Sequence, residues 1–251
     1  MTTTAGPPPE DGLAVRAPGA EHHQHHRDVT GGWLRPAVFG AMDGLVTNIA
    51  LIAGVAGAHA TTHTIVLTGL AGLLAGAFSM AVGEWTSVGS QNALILHEIE
   101  VERREIERKP QAEQAELAGM FRARGLSAPL AREVAAELSR DPDAALRLHV
   151  SEELGVDMDS IAAPLTAAVS SFATFALGAL LPLLPYLFGA STIAWTFGVG
   201  GITMAILGGL VARFTHRGVV AGAARQLLLG AVTVTVVYFV GDLIGAGASA
   251  S

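Results

Sequence analysis

Cysteine is absent from all 251 residues, which removes disulfides, thiolate metal sites and cysteine nucleophiles together. Any metal must then be held by oxygen, imidazole or thioether. Lysine occurs once, as Lys109, and arginine supplies the rest of the fifteen basic residues. Together with abundant Ala and Gly this points to GC-rich coding and so to a bacterium. Charge is nearly missing from residues 36–83, where Asp43 stands alone, and wholly missing from 160–212. The familiar signatures of catalysis are missing too. There is no GxSxG elbow and no phosphate-binding Walker loop, and His97-Glu98 opens an HExxH pattern that fails at Val101. The chain reads as a non-enzyme, and a transporter built this way would run on an ion gradient, not on ATP. Residues 1–32 hold no apolar run able to act as a secretory signal.

What is present is apolar. Hydrophobic residues make up 51% of the chain and the mean hydropathy is +0.47, values that favour a membrane protein over a soluble one. The pattern predicts an all-α integral membrane protein with five transmembrane helices and a helical insert between spans two and three. Span one runs from Pro36 to about His59 and span two from about Ile65 to Trp85. Span three covers Ile161 to Phe188 and is expected to kink or stop early at Pro182 and Pro185. Span four covers Ile193 to Phe214, and span five Gln226 to Gly245. Glycines 40, 44, 54 and 57 in span one, and 72 and 76 in span two, thin the helices for close packing.

Five units follow: a Pro- and His-rich tail over 1–32, spans one and two over 33–92, an acidic insert over 93–159, spans three to five over 160–247, and a short tail over 248–251. The tail's His22, His23, His25 and His26 read as a solvated segment with weak metal capture at most. Every Lys and Arg lies before Pro36, in the insert or in the 213–225 connection, whereas 58–64, 189–192 and the C-terminus have none. By the positive-inside rule the N-terminus and the insert are cytoplasmic, and five spans place the C-terminus on the opposite side.

Span two runs without a proline into the wet, acidic sequence that ends at Lys109-Pro110, so one long helix should leave the bilayer near Trp85. Met80 and Glu84 sit one turn apart on its dry half, and Glu98, Glu102 and Glu105 recur on its wet half. Asp43 lies about two turns into span one, where an ionised carboxylate is costly without a partner or a water-filled cavity. Beyond the Lys109-Pro110 turn come Glu113 and Glu116, then Glu152 and Glu153. If the turn folds the chain back, two EXXE steps can face each other and bind divalent metal. The alternative is a solvated face paired with Arg103, Arg104 and Arg108. Carboxylates without thiolates favour Fe²⁺ or Mn²⁺ over Cu⁺, Met80 tilts the choice toward iron, and Zn²⁺ and Co²⁺ stay open. A formal charge of −7 argues against a nucleic-acid partner.

FGAMDGLVTNIALIAGVAGA and SMAVGEWTSVGSQ resemble the first- and second-span motifs of the vacuolar iron transporter family, and the resemblance extends over residues 27–247. It implies a five-span homodimer with its metal path at the subunit interface, driving Fe²⁺ out of the cytosol in exchange for protons. The membrane would be the plasma membrane of a bacterium, or a vacuolar membrane in a eukaryote. By this resemblance Asp43 and Met80 line the path with Glu84 beside them, and Glu102, Glu105, Glu113, Glu116 and Glu153 form a cytoplasmic metal-binding domain. His149-Val150 stand where plant members have methionines, which makes His149 a substitute ligand. Phe175 stands where an aromatic hydroxyl is expected. Two rival functions are a membrane-anchored iron buffer or sensor, and a ferroxidase-like di-iron enzyme that the lack of a Glu-x-x-His step disfavours.

Overall fold

The computed structural model describes residues 32–190 and 192–249. Among them there are helices and turns but no strand, and five helical segments are long and apolar enough to cross a membrane. The expected tail cluster at His22–His26 lies outside the described residues.

Helix α1 covers Leu34–Gly57 and begins two residues before the proline expected to start it. Pro36 still falls in the first turn, where amides have no intrahelical acceptor and a missing donor costs nothing. Helix α2 runs unbroken over Thr62–Arg108, with the Thr61 hydroxyl accepting from the Thr64 amide at 3.3 Å. Its 47 residues reach about 70 Å at 1.5 Å per residue, far more than a bilayer needs. Pro110 then forces Lys109 out of helical geometry, to φ −134°, and opens α3 at Pro110–Ala123.

Two shorter helices, α4 at Ala128–Leu138 and α5 at Pro142–His149, complete the insert with a single π turn at Val150–Leu154. Asp141 caps α5 by accepting from the amides of Asp143 and Ala144. Ser127 occupies the cap position of α4 in an extended conformation but makes no side-chain cap bond, so Pro129 is left to favour that start.

Span three breaks as its prolines predict: α6 covers Pro164–Leu180, a 3₁₀ turn follows at Leu181–Leu183, and the short α7 covers Leu184–Leu187. Pro182 and Pro185 remove donors from that stretch, and side chains from neighbouring helices meet carbonyls beside the break. Asn48 Nδ2 donates to Ala179 O at 2.5 Å, and Thr196 Oγ1 donates to Pro182 O at 3.1 Å. Helix α8 covers Ile193–Phe214 as expected. Helix α9 covers Val219–Ser249 and starts seven residues before the predicted span, because nothing after Gly218 breaks the backbone although Arg225 delays the apolar run.

Helix α1 sits at the centre, packed against α2, α6, α8 and α9, with Leu45, Ile52 and Ala53 fully buried. Its apolar window is 44% buried and that of α9 only 11%, so α9 turns most of its surface to lipid or to another protein. Phe175 of α6 wedges between α1 and α2. A Cβ on Gly44 would strike the Phe175 backbone, and one on Gly76 would strike its ring. The aromatic therefore fills space that the two glycines leave, and a hydroxyl is not needed to hold it.

The insert has two small cores of its own. Ile99 of α2 packs with Leu146 and Val150, and Met158 lies against them as a packing residue. Leu117 and Ala118 of α3 pack with Ala135 of α4. Asn92 Nδ2 donates to Ala162 O at 2.8 Å, tying α2 to the start of span three.

Candidate metal centre

Three elements converge in the insert. Helix α2 brings Glu102, α3 brings Glu113, and the junction between α5 and the π turn brings His149; ligand atoms from the three lie within 4.8 Å of one another. Ligands about 2.1 Å from one ion sit about 3–4 Å apart, so a small inward movement of the carboxylates would bring all three residues onto one ion with positions left for water. His149 is 1% exposed, Glu113 7% and Glu102 9%. Carboxylates are seldom buried without a partner that repays their lost hydration.

The local geometry is set by the sequence on either side. His149 Nδ1 lies 3.2 Å from Glu153 Oε1, and the π turn, ended by Gly155 at φ +63°, keeps the two residues on one side. The same nitrogen lies 3.1 Å from Glu102 Oε1. That second approach lacks hydrogen-bond alignment, and Glu102 Oε1 remains buried with no hydrogen-bond donor. An acceptor held this way is suited to a cation.

Burial, followed by the repulsion of Glu153, pushes the Glu102 carboxyl from its ordinary 4.5 up to about 7; His149 opposes the shift, while Glu113 and Glu105 add to it. Burial and then Glu116 raise Glu113 as well. A dication would relieve both the desolvation and the repulsion.

The structure thus brings together one carboxylate from each EXXE step. Glu105 and Glu116 remain outside the three-residue cluster: Glu105 is half-buried, 4.0 Å from Lys109 Nζ, and Glu116 is exposed. Glu153 is exposed, touches the cluster at His149 Nδ1 and repels Glu102. Glu152 is ion-paired to Arg124. Of the arginines expected to neutralise this face, Arg103 and Arg104 lie by Glu100, and Arg103 also by Asp143, and among the described residues no arginine, Arg108 included, is ion-paired to the cluster.

Asp43 on α1 and Met80 and Glu84 on the apolar half of α2 lie apart from that cluster. All three are half-buried. Asp43 Oδ1 accepts from Thr47 Oγ1 at 3.4 Å, and Met80 packs against the cluster around Ala77 and Phe175. The Asn48 amide oxygen lies beside Gly72, which puts Asp43 and Met80 within about one helical turn of the same depth on antiparallel helices. Glu84 and Glu102 are eighteen residues apart on α2, about 27 Å along its axis.

Asn48 was not singled out by the sequence. It is 1% exposed, donates to the broken third span and keeps Oδ1 unpartnered, and a polar residue five positions after Asp43 in an apolar span was the available signal.

Comparison with known proteins agrees with this architecture. A vacuolar iron transporter of Acanthamoeba castellanii is 36% identical over 222 residues, covering 85% of this chain and 79% of the relative. Vacuolar iron transporter 1 of Oryza sativa subsp. japonica is 30% identical over 231 residues, covering 90% and 92%. A vacuolar iron transporter of Toxoplasma gondii is 27% identical over 243 residues, covering 89% and 78%. These relatives are named as transporters, not as enzymes. The profile of the VIT family matches residues 34–242, from the first turn of α1 to Asp242 in α9. The chain therefore belongs to the VIT family.

Proposed function

We propose that this protein is a proton-coupled exporter of Fe²⁺ from the cytosol, working as a homodimer with Mn²⁺ as a second cargo. The observation that carries the reading is the buried Glu102–Glu113–His149 cluster on the wet extension of a membrane-spanning helix. Ferrous iron suits a mixed carboxylate and imidazole set, and the relatives' names supply the same metal. Zn²⁺ and Co²⁺ accept the same donors and are the competitors to test.

In this reading the insert is cytoplasmic and takes up metal at Glu102, Glu113 and His149, with Glu153 orienting the imidazole and Glu105 and Glu116 attracting the cation. A separation of about 27 Å along α2 makes capture and membrane passage distinct steps. Metal released from the cluster then enters at Glu84 and passes Met80 and Asp43, where the two protomers meet. A dication binds only the deprotonated carboxylate, so metal and proton compete for the same oxygens and a proton gradient can drive exchange. In a bacterium the membrane is the plasma membrane, and in a eukaryote the vacuolar one.

Purified protein sealed into liposomes with an imposed pH gradient tests this. Fe²⁺ should enter and protons leave, and Asp43→Asn should abolish the flux while leaving metal binding to the insert intact. Wild-type flux by Asp43→Asn under the same gradient would reject the path. The rival buffer or sensor reading gains from the distance between the cluster and the membrane group. It requires metal binding with no flux at all, and Fe²⁺ transport by a Glu102→Gln, His149→Ala variant excludes it.

A further inference from the structure

Helices α8 and α9 meet in a corner that the metal reading does not use. Helix α8 closes with a Schellman arrangement: His216 N donates to Arg213 O, and Arg217 N donates to Ala212 O at 2.8 Å, with His216 at φ +52°. That closure satisfies the last carbonyls of α8. The first-turn amides of α9, which starts at Val219, face the same corner. Between the helices is a recess of about 390 Å³ lined by Thr215, Arg217, Ala221 and Arg225 among others.

Two cations, Arg217 and Arg225, line this recess without a counter-charge, and Arg213 of α8 lies two residues before Thr215. Residues 160–241 contain no Asp or Glu, and among the described residues neither Arg213, Arg217 nor Arg225 has an acidic partner. Guanidinium forks suit phosphoryl oxygens, which they can grip with two parallel bonds. Phe214 and Val220, next in sequence to the lining residues Thr215 and Ala221, are 60% and 83% exposed, so apolar surface lies within a turn of the arginines. The corner joins two membrane-spanning helices and so lies at the membrane boundary.

We infer that the α8–α9 corner is a binding site for a phosphoryl anion, supplied by the headgroup of an anionic phospholipid whose chains lie against Phe214 and Val220. Arg217 and Arg225 hold the phosphate from the two sides of the recess. Basic recesses between spans are the usual seats of such headgroups, and each nearby cation strengthens the attraction. The site lies on helices apart from the carboxylate cluster, so its failure would leave the metal reading untouched.

The test is native mass spectrometry of the full chain extracted from vesicles holding equal parts phosphatidylglycerol and phosphatidylcholine. Phosphatidylglycerol should be retained preferentially. The preference should fall on the order of thirty-fold in R217Q/R225Q, fall less in R217K/R225K, which keeps the charge and loses the fork, and be unchanged by Arg122→Gln in the insert. The lysine variant also guards against misfolding as the cause of any loss. Unaltered retention by R217Q/R225Q would overturn the proposal. Inorganic phosphate added in detergent separates the sources. If it does not raise the thermal midpoint while phosphatidylglycerol does, the lipid is the ligand; an equal rise with phosphate alone keeps the phosphoryl site and rejects the lipid as its source.

Discussion

At the scale of single residues, Glu102 governs how the candidate centre answers to pH. Its carboxyl, raised to about 7 from 4.5, binds more protons folded than unfolded between those values. Apo-protein stability should therefore be greatest below about pH 4.5 as far as this group is concerned, and decline as pH rises through 7. Metal binding has the opposite slope, because the ion must displace the proton. Apparent Fe²⁺ affinity should weaken up to about tenfold per pH unit below 7. Calorimetric titration at several pH values checks this, and Glu102→Gln should flatten the slope as well as weaken binding. His149→Ala should cost more affinity than Glu116→Gln, since His149 is buried in the cluster and Glu116 is exposed outside it. Equal losses in the two variants would mean that the acidic face binds metal diffusely.

At the scale of elements, the contact of α1, α2 and α6 turns on Phe175. Gly76 faces its ring and Gly44 faces its backbone, and the two glycines should respond differently to added bulk. Gly76→Ala forces a side chain to move, whereas Gly44→Ala forces a helix to move. Both should lower stability by about 1–3 kcal/mol as overpacking does. Pairing with Phe175→Leu should recover part of the loss for Gly76→Ala and none for Gly44→Ala, measured as thermal midpoints in detergent. The ends of α1 and α8 allow a further prediction. His59 and His216 hold φ of 58° and 52°, a region in which a Cβ is crowded. Replacing His216 by Gly should stabilise the protein by about 1 kcal/mol, read as a rise in the same midpoint. His59 is the less clean choice, since its ring lies 3.5 Å from Asp242 and joins the end of α1 to α9.

At the scale of the whole molecule, the lack of native cysteine makes orientation measurable with single thiols. Ala60→Cys and Ala190→Cys should react with a membrane-impermeant maleimide from one side of sealed vesicles, and Ser139→Cys and Gly218→Cys only from the other. Labelling of Ala60→Cys and Ser139→Cys from the same side would contradict a five-span path with the insert on the arginine-rich face. The uneven burial of the spans sets a second expectation. With α1 at the centre and α2 and α9 largely uncovered, a second copy has ample apolar surface to meet without disturbing the core.

The sequence by itself determined the architecture, because the physics of a bilayer acts on composition and length. Apolar runs of span length marked the five helices, Pro110 ended the longest one, and Pro182 and Pro185 broke the third. These are local rules, and a residue meets them wherever its neighbours in space happen to be. Boundaries were legible to within a turn except in α9, which begins seven residues before and ends four after the expected span, because backbone helicity and apolar composition do not start and stop at the same residues. Only the tertiary structure decided which carboxylates meet. Glu102 and Glu105 are three residues apart on the same helix, yet the packing of Ile99 on Leu146 and Val150 turns Glu102 toward His149 and leaves Glu105 beside Lys109. Spacing names the face of a helix; the burial, the convergence of α2, α3 and α5, and the unpartnered oxygen that make a candidate cation site come from what packs against it.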